Sequence, residues 1–307
     1  MTIFDLIGNT PLVKLQHLNP NPRVQLFGKL EGQNPAGSVK DRPAYFMIKG
    51  AIDRGELSSG NTLIEATSGN TGIALAMIAA QFGVPIELVM PEGSTEERVK
   101  TMQAFGATVI LTPLERGIEG SIDYVSEKIR SSDYVMLNQF GNPDNPRAHA
   151  ETTGPEIWRD TQGSVTHFVS SMGTTGTIVG TSTFLKQRNP KIQIIGAQPE
   201  EGAQIPGIRK WPSDYLPAIY NPERVDNIVY VSEHDAKTMA QRLAREEGIF
   251  AGMSSGGAAH VAIQMARSIE QGVVVFIVCD RGDRYLSSDL FETKLSTPGG
   301  DDGLSTY

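Results

Sequence analysis

A single cysteine, Cys279, stands in the 307-residue chain, so no intrachain disulfide can form and a reducing, cytoplasmic setting is expected. The five histidines (His17, His149, His167, His234 and His260) show no paired spacing with cysteines or carboxylates, and no metal site is expected. Neither a GxSxG elbow nor a GxxxxGK[ST] loop occurs, which leaves a serine esterase or a P-loop nucleotide hydrolase without support. Basic residues are in the minority, 27 against 35 acidic ones, for a net charge of −8. A nucleic-acid partner would need basic patches to displace counterions, so none is expected. Long apolar runs are missing too. The strongest, VVVFIV at 273–278, is far too short to span a bilayer, and no membrane partner is expected. The opening MTIFDLIGNTPLVKL carries Asp5 and lacks a basic start followed by an apolar run, so no signal peptide is expected.

What is present is alternation. Short β-branched runs at 62–66, 85–90, 107–111, 135–140, 166–171, 192–198, 227–232 and 273–279 are separated by helix-patterned segments such as TGIALAMIAAQFG and HDAKTMAQRLAREEG. This predicts an α/β protein of two doubly wound domains with mostly parallel sheets. The length also suggests about two domains. The Pro- and Asn-rich GNPDNPRAH (141–149) is the expected boundary, giving units 1–145 and 146–307, with 13–34 a candidate to pack on the second unit. The tail STPGGDDGLSTY has no periodicity and reads as mobile.

Three strand-to-helix turns are built from Gly, Ser and Thr: EATSGNTG (65–72), SMGTTGT (171–177) and GMSSGG (252–257), the last expected to open a helix near Ala258. Such turns present backbone N–H groups and hydroxyls at helix N-termini, where anions bind. Taken singly each could be a helix cap. SMGTTGT lacks the GxGxxG spacing of a dinucleotide site, and the following strand IQIIGAQ ends in glutamine rather than a ribose-binding acid. A monophosphate fits better. Lys40, in NPAGSVKDR, follows a loop of small residues and precedes Pro43, which places a helix start at Asp41 or Arg42 and the lysine at its mouth. An amine beside a monophosphate cradle suits pyridoxal 5'-phosphate, whose aldehyde needs an amine partner.

IGNTPLVKL, KLEGQNPAGSVKDR, IEATSGNTGIALA, NQFGNPDNP, TGPEIW, SSMGTTGT and EEGIFAGMSSGG together resemble the cysteine synthase (O-acetylserine sulfhydrylase) family of fold-type II pyridoxal-phosphate enzymes, the tryptophan synthase β-like fold. QPEEGAQIPGIRKWPSDYLP and CDRGDRYLSS resemble the B branch of that family rather than the A branch. Two positions depart from the pattern: Pro43 stands where the KDR motif continues with alanine, and Lys210 where the B form often has a second arginine.

The resemblance implies that Lys40 is the catalytic lysine that binds the cofactor, that Asn70 meets its ring hydroxyl, and that Gly173, Thr174, Thr175, Gly176 and Thr177 hold the phosphate. Ser254 would meet the pyridine nitrogen and leave it neutral. Thr67, Ser68, Asn70, Thr71 and Gln139 would bind the substrate carboxylate, and Arg209, Lys210 and Cys279 would border the sulfur-donor side. The implied substrates are O-acetylserine with sulfide or thiosulfate, and the implied assembly is a homodimer. The competing readings are cystathionine β-synthase, a serine/threonine dehydratase, or a non-catalytic binding protein of the same fold.

Overall fold

The computed structural model describes residues 1–67, 69–131 and 133–292, so Ser68 and the 296–307 tail lie outside the described residues. The chain begins with a short antiparallel pair, β1 (Leu12–Lys14) and β2 (Val24–Leu30), neither of which is among the strands expected above. Then come α1 (Asp41–Asp53), β3 (Thr62–Ala66), α2 (Asn70–Phe82), β4 (Ile86–Pro91), α3 (Glu96–Ala104), β5 (Thr108–Thr112), α4 (Gly117–Lys128) and β6 (Tyr134–Val135). Next, α5 (Asp144–Ala148), a π-turn at His149–Thr153 and α6 (Gly154–Asp160) lead into β7 (His167–Ser171), α7 (Gly176–Arg188), β8 (Gln193–Pro199) and β9 (Asn227–Val231). The chain continues through α8 (Glu233–Glu247), α9 (Met253–Ser268) and β10 (Gly272–Val278).

These strands form two sheets. The smaller is all parallel in the order β5-β4-β3-β6. The larger runs β1-β2-β10-β7-β8-β9 and is parallel apart from β1. Strands 12–30 therefore belong with the sheet built from the second half of the chain. Parallel strands are covered on both faces, and β10 follows that rule: Val273 through Val278 are all buried. α2 is apolar almost all round and is buried from Thr71 to Ala79, whereas α8 keeps a polar outer face.

Two local expectations are corrected. The strand expected at 135–140 stops at Val135, because Asn138 adopts a left-handed backbone (φ 54°) and its amide is drawn to the Glu65 carboxylate at 3.2 Å. The last helix starts at Met253 rather than near Ala258. Gly256 and Gly257 lie inside it, and Gly256 is there for contact: a Cβ on it would overlap the Ala236 carbonyl and crowd Ala240 of α8. Gly256→Ala is therefore expected to lower stability by about 1–3 kcal/mol through overpacking, despite the better helix propensity of alanine. Thermal or denaturant unfolding of the variant checks this, and an unchanged or raised stability would contradict it.

Candidate active site

The lysine loop is fastened to the end of β10. The Val39 amide donates to the Cys279 carbonyl at 2.8 Å, and Ser38 bridges Asp280. Asp41, the first residue of α1, closes the loop by accepting from the Ala36 amide at 2.5 Å, and burial pushes its carboxyl up to about 7. Lys40 thus stands at the helix mouth and lines a cavity. Burial lowers its amine pKa, while the nearby Cys279, Asp280 and Glu31 work in the opposite direction. A neutral amine is more accessible here than on a solvated lysine.

Across the cavity lie Gly173, Thr174, Thr175 and Thr177, ahead of and within the first turn of α7. Thr175 has a left-handed backbone (φ 72°), and its Oγ1 is buried without a hydrogen-bond partner. The first-turn amides of a helix have no partner within it. A buried, unpaired hydroxyl beside such amides is what a phosphate monoester would satisfy, so these residues fit the phosphate of pyridoxal 5'-phosphate. The two glycines are required by close approach. A Cβ on Gly173 would sit 2.7 Å from the Gly207 carbonyl, and one on Gly176 would overlap the Asn145 side chain.

Asn70, the first residue of α2, also lines the cavity. Its Nδ2 donates to Asp280 Oδ2 at 2.7 Å and its Oδ1 accepts from Arg284. Asp280 also accepts from the Tyr285 hydroxyl at 2.6 Å and from the Gly252 amide at 3.2 Å. Ser254 is buried, faces the cavity and is held through its carbonyl by the Ser171 hydroxyl at 2.6 Å. The neighbouring Ser255 is committed elsewhere, its Oγ accepting from the Cys279 amide at 2.9 Å. Among the two serines it is Ser254 that can meet a ring.

Thr67, Thr71 and Gln139 are buried, and the Thr71 hydroxyl donates to Gln139 Oε1 at 2.8 Å. Cys279 lines the cavity as a thiol, since burial and Asp280 push its pKa up to about 11. The structure does not bring Arg209 and Lys210 to the cavity wall. Both are exposed; Arg209 lies over the Trp211 ring, and Lys210 turns to Glu201 at 3.3 Å and to the Tyr230 ring. What their segment does contribute is Gly207 in the wall and Trp211, whose Nε1 donates to the Gly173 carbonyl at 2.7 Å. Arg281, in CDRGDRY, does not line the cavity and pairs with Asp283 at 2.9 Å.

Several residues here are absent from the sequence reading. Asp280 and Arg284 fix Asn70, and Asn145 spans the Gln139 carbonyl (2.7 Å) and Thr174 Oγ1 (3.2 Å). His149 sits on the π-turn with Nε2 at 3.3 Å from Thr177 Oγ1. Burial, together with the charges of Arg42 and Lys40, holds its pKa well below the ordinary histidine value. Asp280 and Arg284 lie in CDRGDRY and Asn145 in NQFGNPDNP, motifs that carried the resemblance without a role for these residues. No group of three or more metal-ligating side chains occurs among the described residues, and none of their helices is long and apolar enough to cross a membrane.

Comparison with known proteins agrees with this geometry. The family model for pyridoxal-phosphate dependent enzymes matches residues 3–280. Cysteine synthase B of Pseudomonas aeruginosa is 56% identical over 293 residues, covering 95% of this chain and 98% of the relative. The Escherichia coli cysteine synthase B is 53% identical over 290 residues, covering 94% and 96% respectively. Among solved structures, cysteine synthase from Entamoeba histolytica superposes with a TM-score of 0.90 at 40% identity, covering 96% of this chain and 92% of that one. With a lysine and a threonine-rich turn lining one cavity and relatives matched over almost its full length, the chain belongs to the pyridoxal-phosphate-dependent enzyme family, on its cysteine synthase branch.

Proposed function

We propose that the chain makes L-cysteine from O-acetyl-L-serine and sulfide, with pyridoxal 5'-phosphate as cofactor. The observation that carries this reading is that Lys40 and the Gly173–Thr177 turn open onto one cavity. When bound, the cofactor supplies an electron sink for the carbanion at the substrate's Cα. Lys40 would hold its aldehyde, the 173–177 turn its phosphate, Asn70 its ring hydroxyl and Ser254 its ring nitrogen. A hydroxyl at Ser254 leaves that nitrogen neutral, which suits elimination better than transamination. Thr67, Thr71 and Gln139, which are buried and do not themselves line that cavity, would hold the substrate carboxylate. The neutral amine of Lys40, favoured by burial, takes the Cα proton and later returns it. Acetate leaves the β-carbon before sulfide adds to the same carbon, so ping-pong kinetics follow.

The B-branch motifs around Gly207 and Trp211 support thiosulfate as a second donor, giving S-sulfocysteine. A homodimer is what the family resemblance implies, and the single Cys279 suits a reducing, cytoplasmic setting. The test is to supply purified holoenzyme with O-acetylserine and either sulfide or thiosulfate, and to follow both products by mass spectrometry. Cysteine from sulfide and S-sulfocysteine from thiosulfate are expected. Failure with thiosulfate alone would remove the second donor, and failure with both would remove the reaction. Alanine at Arg209 and Lys210 together is expected to raise KM for thiosulfate more than for sulfide only if those side chains swing inward from their present partners.

A further inference from the structure

We propose that Glu65 is a positioning residue for the amino-acid substrate: its carboxylate peels the segment after β6 off the sheet and so sets Gln139 against Thr71. This rests on the reading of Gln139 as a ligand of the substrate carboxylate.

Glu65 lies in β3, an interior strand of the smaller sheet, and is 5% exposed. A carboxylate is a costly choice at such a place, and no cation is paired with it among the described salt bridges. Burial pushes it up to about 7, and only the amides of Asn138 and Leu137 work against that. Of the two, the Leu137 amide is the one that a longer β6 would have turned toward β3; amides alternate sides along a strand, so that of Asn138 would have faced away from it. β6 pairs with β3 at Thr62↔Tyr134 and Leu63↔Val135, so continuing the same register would set Leu137 opposite Glu65 and Gln139 opposite Thr67. Instead the side chain of Glu65 captures the Asn138 amide at 3.2 Å, and Asn138 turns left-handed.

The result is felt one residue later. Gln139 leaves the sheet plane, its Oε1 accepts from the Thr71 hydroxyl at 2.8 Å, and its carbonyl accepts from Asn145 at 2.7 Å. Asn145 in turn reaches Thr174 in the phosphate cradle. An apolar residue or a continued ladder would satisfy β3 more cheaply, but neither would deliver Gln139 to this place. Glu65 touches no reacting atom; it acts through Gln139.

The experiment compares Glu65→Gln, Glu65→Asp, Gln139→Ala and the Glu65→Gln/Gln139→Ala double variant as holoenzymes. In ping-pong kinetics, kcat/KM for each substrate reports its own half-reaction, which separates positioning from general damage. Glu65→Gln keeps the size but weakens the hold on the amides. It is expected to lower kcat/KM for O-acetylserine by about ten- to a hundredfold while kcat/KM for sulfide stays nearly unchanged. The double variant should be no worse than Gln139→Ala, because both act on one link. Glu65→Asp, which keeps the charge with a shorter reach, should fall between wild type and Glu65→Gln, and it serves if the glutamine variant does not fold. Equal losses for both substrates, or full additivity with Gln139→Ala, would overturn the proposal and leave Glu65 a structural residue. Should Gln139→Ala itself spare O-acetylserine, the reading of Gln139 fails and this proposal with it. Loss in Gln139→Ala without loss in either Glu65 variant overturns the proposal alone.

Discussion

Lys40→Ala is expected to abolish turnover, with kcat reduced by at least about 10⁴-fold. On the proposed assignment of Lys40, two separate contributions disappear with one side chain. The first is the covalent hold on the cofactor aldehyde. The second is the proton transfer at Cα, and general-base catalysis alone is worth about 10²–10⁴-fold. No other amine lines the cavity among the described residues, so no neighbour can substitute. The fold should survive, since the loop is anchored without the Lys40 side chain: the Val39 amide on the Cys279 carbonyl and the Ala36 amide on the Asp41 carboxylate. Removing a desolvated amine should leave the melting temperature unchanged or slightly raised. The phosphate cradle stays intact, so cofactor can still be retained non-covalently. Steady-state assay, visible absorbance and total cofactor content measure these separately. Turnover above about 1% of wild type would remove Lys40 from the base role.

Arg42→Ala is expected to cost about 3–5 kcal/mol of folding stability, the range for breaking a buried ion pair on one side. Arg42 is fully buried, and its guanidinium meets two carboxylates in bidentate fashion. Nε and Nη2 donate to Glu31 at 2.7 and 2.8 Å, while Nη1 and Nη2 donate to Glu156 at 2.7 and 2.8 Å. Lys29 adds a further contact to Glu156 at 2.7 Å. The network ties α1 to the end of β2 and to α6, so alanine would take from buried Glu31 the cation paired with it and leave Glu156 with Lys29. Stability of a typical domain is only about 5–15 kcal/mol, which makes this loss severe.

The same network predicts the acid limb of the stability curve. Burial by itself would raise the Glu156 carboxyl, but hydrogen bonding and charge from Arg42, with Lys29, hold it down at about 2. Its folded pKa is therefore below the ordinary value of 4.5, so its contribution is present in full above that value. The contribution is lost as pH falls from about 4.5 to about 2. In Arg42→Ala the acid limb should move to higher pH. Urea unfolding at pH 7 and thermal melts between pH 3 and 7 measure both effects. A change below about 1 kcal/mol at pH 7 would place the network with weak, solvated pairs instead.

The residues legible in the sequence were those whose chemistry is written locally. Lys40 before Asp41 and Pro43, and the Gly-Thr turn at 173–177, announce two helix mouths within a few positions each. The alternation of strands and helices likewise gave the parallel sheets. What was illegible depends on long-range contact. Glu65 looks like an ordinary strand residue until Asn138 is folded over it, and Asp280 and Arg284 have no visible tie to Asn70 from 210 and 214 positions away. Gly256 and Gly257 read as a turn because close helix packing and chain reversal use the same amino acid. Arg209 and Lys210 show the limit of charge counting: a cation in a loop does not say which way it faces.

The pairing of β2 with β10 bears on how the molecule is made. β2 emerges among the first thirty residues, yet its parallel neighbour is β10, Gly272–Val278. At ribosomal speeds of about 5–20 residues per second, β2 waits on the order of ten to fifty seconds for that neighbour. The smaller sheet, complete by residue 135, suffers no such delay. The Lys40 loop waits with β2, because the Val39 amide and Ser38 find their partners only at Cys279 and Asp280. The lysine is thus buried, and its amine perturbed, at the end of synthesis rather than the beginning. An unfinished chain carries the reactive side chain without the surroundings that make it reactive.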